Sequence, residues 1–408
     1  MALDPPHPLR FLALCARPEI DEELRCRLVQ EATGIERWDL VVVAAEYHEI
    51  AGLLYAHLRA AEVHLPDEAR RTLEGFVARA RHATRTRLQI LAKVLEMFEA
   101  RGIECVVLKG GALALTLYSD PAHRPLADLD LWVESERVEE AQACLLREGF
   151  TVHPAHGLPE HRHLAPASRE LDGIRVMVEL HHAVVSAGAK GPADLLDRAS
   201  SFEVSGQRAR TLGPADMLAQ LHHHLVYHLV FHRNLRLKWV ADMIGVAERF
   251  AETIDWRELP THYPAMPGAL AMLHHLSPLS ARTLGCTGLS VGQQEPPGID
   301  EEISVLPEPK RDVLGQRAPD IQERPEWLSS EGGRSLREML WPADWRLQLF
   351  WGLDRPRALF PYRWRYLWKV IAFGAEIWKS HGGSLATLSR RPWIRSRLLP
   401  WPRRDNRA

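Results

Sequence analysis

An α+β fold is predicted by three observations on this chain: helical periodicity over residues 10–100, short strand-like runs between 102 and 212, and renewed helical periodicity from Pro214 onward. In the first region the periodic stretches run from Glu19 to Val29, Trp38 to His57 and Pro66 to Ala100. Pro66 followed by Asp67 and Glu68 reads as a helix start, and Arg101-Gly102 as its stop. The middle region offers strands at Cys105–Leu108, Asp128–Val133 and Gly173–Leu180, with Val138 to Glu148 helical between the last two. Helices return at Ala215–His232, Leu235–Phe250 and Ala265–Leu276. A Pro/Gly/Glu-rich section from Gly292 to Pro325 is expected to be a long loop, and no internal repeat of fixed period is present. The expected division is a helical region at 1–100, a core at 101–212 and a mainly helical region at 213–408.

Composition narrows the class. With 408 residues, 46% of them hydrophobic, the chain can bury a substantial core in two or three domains. A net charge of −2 supplies no global field for recruiting nucleic acid or acidic lipid. Cys15, Cys26, Cys105, Cys144 and Cys286 are scattered, odd in number and without CxxC spacing, which favours a reducing cytoplasm and argues against a thiolate zinc site. Residues 1–9 lack a basic segment leading into an apolar one, and no apolar run reaches the length of a membrane span, so neither secretion nor membrane spanning is expected.

The chemistry concentrates around Leu108-Lys109-Gly110-Gly111 and Asp128-Leu129-Asp130-Leu131-Trp132-Val133. A strand entering a glycine turn and then a short helix, Ala112 to Tyr118, aims backbone N–H groups at any anion above the turn. Asp128 and Asp130 alternate along a strand and therefore share a face, while Leu129 and Leu131 enter the core. Two close carboxylates repel unless a cation, a proton or an arginine neutralises them.

These residues resemble an uncharacterised bacterial nucleotidyltransferase family within the DNA polymerase beta superfamily. The resemblance rests on Leu108-Lys109-Gly110, Tyr118, Arg124, Asp128-Leu129-Asp130 and Val133, on Val178-Glu179-Leu180-His181, and on the segments around Leu235, Trp239, Asp242 and Trp341-Pro342. It implies a small polymerase-beta-like core with a mixed sheet, flanked by helical regions. It further implies that Asp128, Asp130 and Glu179 bind Mg2+, with Mn2+ as the alternative, and that Glu179 accepts the proton of the acceptor hydroxyl. Glu179 stands where Asp is the commoner residue, and Gly111 where Ser is usual. Gly110, Gly111 and Lys109 are then expected against the nucleotide phosphates.

Other candidates have two readings each. Arg124 either contacts phosphate or pairs with Asp120 or Asp128. Lys238 and Asp242 are i, i+4 neighbours that form a plain helix ion pair, or Lys238 reaches the triphosphate while Asp242 anchors it. His181 shares the Glu179 face and contacts substrate, orients Glu179, or merely lines the strand. His222, His223, His224, His228 and His232 crowd one helix; interhelical hydrogen bonding or a cleft wall is preferred over zinc, since no HExxH pattern or nearby cysteine completes a set.

The arginine- and tryptophan-rich end, Arg390 to Arg407, can bind nucleic acid, an acidic peptide or a membrane surface, but its prolines favour a solvated tail. Trp341, Trp345, Trp351, Trp364, Trp368 and Trp378 are expected to pack the carboxy-terminal helices. The leading expectation is Mg2+-dependent transfer of a nucleoside monophosphate from an NTP to a hydroxyl on a small molecule, peptide or protein, with release of pyrophosphate. A non-catalytic nucleotide-binding scaffold is the alternative, and an RNA-modifying enzyme the third reading.

Overall fold

The computed structural model describes residues 8–152, 163–185, 188, 192–229, 235–289, 344–351 and 359–368. The expected loop at 292–325 and the tail beyond 390 lie outside them, as do His232, Trp341 and Trp378.

The chain begins with five helices: α1 (Pro8–Leu14), α2 (Glu22–Ala32), α3 (Trp38–Tyr47), α4 (Ala51–Ala60) and α5 (Asp67–Glu99). Asp21 caps α2, its side chain accepting the Leu24 N–H at 2.9 Å, and Glu22 and Glu23 complement the helix dipole. The single helix expected from Trp38 to His57 is in fact two. The chain breaks at Glu49, whose φ is +57°, although no glycine or proline marks the place. The cause is tertiary, because the Lys238 N–H donates to the His48 carbonyl and the Lys238 ammonium pairs with Glu49.

The middle of the chain supplies β1 (Cys105–Val107), α6 (Lys109–Thr116), β2 (Asp128–Val133), α7 (Val138–Arg147), β3 (Thr151–Val152), β4 (Ala167–Leu171), β5 (Ile174–His181), α8 (Pro192–Asp197), β6 (Ser200–Val204) and β7 (Gln207–Thr211). One sheet joins the strands in the order β3-β4-β5-β2-β1-β7-β6. It is mixed: β2–β5 and β1–β7 are parallel, the other pairs antiparallel. Two-residue turns make the hairpins at Asp172-Gly173 and Ser205-Gly206, all four residues having positive φ, the geometry that matches strand twist.

Helices α9 (Pro214–Tyr227), α10 (Leu237–Arg249), α11 (Leu259–His262), α12 (Met266–Leu276) and α13 (Ala281–Thr287) follow, then α14 (Asp344–Trp351) and α15 (359–368). Helix α5 contacts β2, β5, β6 and β7, and α7 packs beside it on β4 and β5, so together they cover one sheet face. A continuous apolar core runs from Phe11 to Leu279 through the sheet, which is the expected α+β architecture with helices on both flanks. Trp351 packs beside a small satellite cluster of Leu347, Leu359 and Tyr366. Trp364 and Trp368 depart from the expected packing: they are 49% and 67% exposed. Among the described residues, no helix is long and apolar enough to cross a membrane.

Three histidines are built into this core as neutral rings. Burial pushes His48 down to about 3, and His57 and His222 down to about 4. His57 Nε2 donates to the Arg17 carbonyl, and His222 Nε2 to the Leu349 carbonyl while its Nδ1 accepts from the Tyr263 hydroxyl. Below the unfolded value of 6.5 the unfolded chain takes up protons that the native chain refuses, so stability is complete above pH 6.5 and falls as pH drops toward 4. Each ring contributes a slope of up to about 1.4 kcal/mol per pH unit. Urea titrations at pH 7 and pH 5 are expected to show this loss, and His222→Gln a shallower one. Equal stability at the two pH values in the wild type would contradict the neutral-histidine assignment.

Candidate active site

Strands β2 and β5 lie parallel with Asp128 opposite Met177, Asp130 opposite Glu179 and Trp132 opposite His181. Period-two alternation then places Asp128, Asp130, Glu179 and His181 on one face. Leu129, Leu131, Val178 and Leu180 turn to the other, where they are buried; Leu129 and Leu91 of α5 both lie within 4 Å of the Cβ position at Gly111. Sequence alternation thus becomes a polar cluster on the face away from α5.

Asp130 is its centre. The Lys109 ammonium donates to Asp130 Oδ1 at 2.8 Å, and His181 Nε2 lies 2.6 Å from the same oxygen. Glu179 Oε2 stands 3.8 Å from both His181 Nε2 and His163 Nε2. Asp130, Glu179 and His181 present ligand atoms within 4.8 Å of one another, a candidate metal site. Asp128 lies outside this trio, one alternation along β2. The sequence motif pointed to three carboxylates; the tightest group contains His181 in place of Asp128. His163, on a bridge to His181, was not singled out by any sequence signal.

The electrostatics are those of crowded carboxylates. Burial, and then the charges of Asp130 and Asp128, push Glu179 up to about 8. Asp128 is also raised, by burial and then by Asp130, and Lys109, Lys238 and Arg124 offset this only in part. Asp130 behaves oppositely. Burial would raise it, but Lys109 and His181 hold it far below the usual carboxylate range. The α9 residue His224 feels the same cluster: burial and then the Lys109 charge push it well below the ordinary histidine value.

The glycines act differently from the sequence expectation. The left-handed residue is Lys109, at φ +44°, while Gly110 and Gly111 occupy the first turn of α6, which starts three residues before the predicted Ala112. Glycine is required here by close approach. A Cβ at Gly110 would lie 3.0 Å from Arg124 Nη1 and 3.1 Å from Leu126 Cδ2, and one at Gly111 3.1 Å from Val107 Cγ1. Gly110→Ala is expected to cost about 1–3 kcal/mol, since Arg124 is locked, whereas in Gly111→Ala the gain in helix propensity offsets much of the crowding. Urea denaturation of the two variants measures this difference; a Gly110→Ala protein as stable as wild type would show that Arg124 yields.

Arg124 takes neither Asp120 nor Asp128. Its Nε donates to both Asp242 oxygens at 2.8 and 2.9 Å, and Nη2 to Oδ2 at 2.7 Å. The Tyr118 hydroxyl donates to Asp242 Oδ1 at 2.7 Å. Asp120 instead pairs with Arg81. Lys238 likewise does not pair with Asp242; its ammonium meets Glu49 Oε2 at 2.7 Å.

A sequence-family model described as "Uncharacterised nucleotidyltransferase" matches residues 35–276, more than half of the chain and all of the site just described. The chain belongs to this nucleotidyltransferase family. No curated protein matches it. Among solved structures, an antigenic nucleotidyltransferase-like protein from Paracoccidioides brasiliensis aligns with 50% of this chain and 93% of its own, at 16% identity and a TM-score of 0.32.

The remaining histidines of this nucleotidyltransferase divide by environment. His222 is committed to Tyr263 and Leu349, whereas His224 meets His228 and Trp239 edge-on and His228 lies tilted against Trp239, with ring centroids 4.4–5.4 Å apart. Among the described residues, none of them belongs to a group of three metal ligands.

Proposed function

We propose that this nucleotidyltransferase is a divalent-metal-dependent enzyme that moves a nucleoside monophosphate from an NTP to an acceptor hydroxyl. The observation carrying this reading is Asp130 beside Glu179 on parallel strands, with Asp128 one step along the same face. The donor set fits a hard cation: oxygen ligands predominate, and the mutual repulsion that raises Asp128 and Glu179 is what a divalent charge relieves. Asp128, Asp130 and Glu179 would hold Mg2+ or Mn2+, which when bound supplies charge neutralisation at the phosphate oxygens. Lys109, with the backbone at Gly110 and Gly111, faces the phosphates, and Lys238, paired with Glu49, adds positive charge that is felt at Asp128. His181 orients Asp130. Arg124 and Asp242 brace α10 against the segment that leads into β2.

The acceptor oxygen attacks the α-phosphorus, forming one P–O bond while the bond to the bridging oxygen of the β-phosphate breaks. Pyrophosphate leaves, and the hydroxyl proton passes to Glu179. A small metabolite, a peptide and a protein side chain all supply the required hydroxyl. The Lys109–Asp130–His181 contacts favour one second reading, a scaffold that binds nucleotide without turning it over, because Asp130 already has internal partners.

Pyrophosphate release from each NTP, with Mg2+ and a panel of hydroxyl acceptors, separates the two readings. Metal-dependent release is expected from the wild type. Glu179→Gln is expected to slow single-turnover chemistry by about 100-fold or more while NTP affinity changes little. Near-normal chemistry in that variant would remove Glu179 from the proton path, and NTP binding without release under every condition would favour the scaffold.

A further inference from the structure

Helix α15 has two unlike sides. Leu359 and Tyr366, each 4% exposed, pack on Leu347 of α14. On the other side Phe360, Trp364 and Trp368 recur at i, i+4 and i+8, and they are 66%, 49% and 67% exposed. Phe360 and Trp364 meet edge-on, with ring centroids 6.5 Å apart, and Arg365 is exposed beside them. At 1.5 Å rise per residue the stripe extends about 12 Å along the helix. Three aromatic side chains at these exposures make an apolar patch of a few hundred Å2, large for a surface that meets only water.

Charge indicates what covers it. From residue 359 onward the sequence carries eleven Lys or Arg against only Glu376 and Asp405, in a chain whose total is −2. Positive excess is therefore concentrated in the stretch of sequence that opens with the aromatic stripe, where Arg365 is exposed on the helix itself. Indole and phenyl rings favour the boundary between headgroups and acyl chains, and neighbouring arginines pair with anionic headgroups. One side packed on α14 and an aromatic stripe along the other is the asymmetry of a helix that lies on a bilayer surface.

We propose that α15 is a docking face for an anionic membrane surface, with Phe360, Trp364 and Trp368 entering the interface. This is independent of the catalytic reading. The test is co-sedimentation of the full chain with vesicles of phosphatidylcholine alone and of phosphatidylcholine with about 30 mol% phosphatidylglycerol. Binding to the anionic vesicles is expected to be about tenfold or more above that to the neutral ones and to weaken with salt. The combined substitutions Phe360→Ser, Trp364→Ser and Trp368→Ser are expected to lower it about tenfold without changing the melt, because exposed side chains are removed. Bromine-labelled anionic vesicles give a second readout on the unaltered chain: they quench tryptophan emission, and Trp364→Phe with Trp368→Phe reduces that quenching. Absence of binding to anionic vesicles, undiminished binding by the serine variant, unchanged quenching in the phenylalanine variant, or displacement of the vesicles by a single-stranded oligonucleotide at equal charge concentration would each overturn the proposal.

Discussion

Asp128→Asn and Asp130→Asn are both expected to abolish nucleotide transfer, yet to move the stability of the metal-free protein in opposite directions. Both replace a carboxylate with a near-isosteric amide, so differences in packing are small. Asp128 is raised by burial and by the neighbouring Asp130, which means that its charge is a cost to the fold. Removing that charge is expected to stabilise the metal-free protein, by up to about 1 kcal/mol. Asp130 is the counter-ion of Lys109, whose side chain is 12% exposed, and the hydrogen-bond partner of His181. Its amide would leave a buried ammonium without its hydrogen-bonded counter-ion, with Asp128 and Glu179 as its remaining opposite charges, a loss of about 3 kcal/mol. Thermal melts in chelator, run beside pyrophosphate-release assays, provide the comparison. Melting shifts of the same sign would show that the two aspartates are not electrostatically distinct, and turnover retained by both would remove them from the metal site.

Which side chains share a strand face was legible because it depends on local pattern. Alternation alone put Asp128 with Asp130 and Glu179 with His181 on shared faces, and the structure aligns those two pairs across a single parallel register. Strands β6 and β7 and the pairing strand β4 were not anticipated, although their signals were present. Asp172-Gly173 and Ser205-Gly206 are hairpin dipeptides flanked by alternating residues, whose two-residue turns specify the strand on each side. Reading Gly173 as the first residue of a strand concealed the turn and with it β4. The split between α3 and α4 carried no such signal. Glu49 adopts its left-handed backbone in a segment held by His48 and Lys238, and a contact across some 190 residues leaves no periodicity to read.

The pairings of the buried charges were illegible for the same reason. Sequence spacing offered Asp120, Asp128 and the i, i+4 helix neighbour as partners for Arg124 and Lys238, since those are the contacts that chain proximity permits. The structure selects Asp242 and Glu49 instead. Local geometry identifies which side chains can meet along one element; the competition among several buried cations for several buried anions is decided by how the elements pack. His163 illustrates the limit, since it enters the site only through a bridge between two chain segments.

Asp242→Ala is expected to be the most destabilising single change near the carboxylate cluster. Asp242 is fully buried and accepts three hydrogen bonds from Arg124 and one from Tyr118, tying α10 to the segment that leads into β2. Truncation leaves a guanidinium buried without its counter-ion, which costs about 3–5 kcal/mol. The guanidinium also fills the space that a Cβ at Gly110 would occupy, 3.0 Å from that position, so its release disturbs the first turn of α6 beside the carboxylates. Tyr118→Phe removes one donor and leaves the ion pair intact, and a loss nearer 1–2 kcal/mol is expected. Arg124→Met combined with Asp242→Leu replaces both charges with apolar groups, and should recover much of the stability lost in Asp242→Ala because no unpaired charge remains. Urea unfolding of the three proteins distinguishes a buried charge left unpaired from a simple loss of contacts. If the double variant were no more stable than Asp242→Ala, the pair would owe its effect to hydrogen-bond geometry that apolar packing cannot replace.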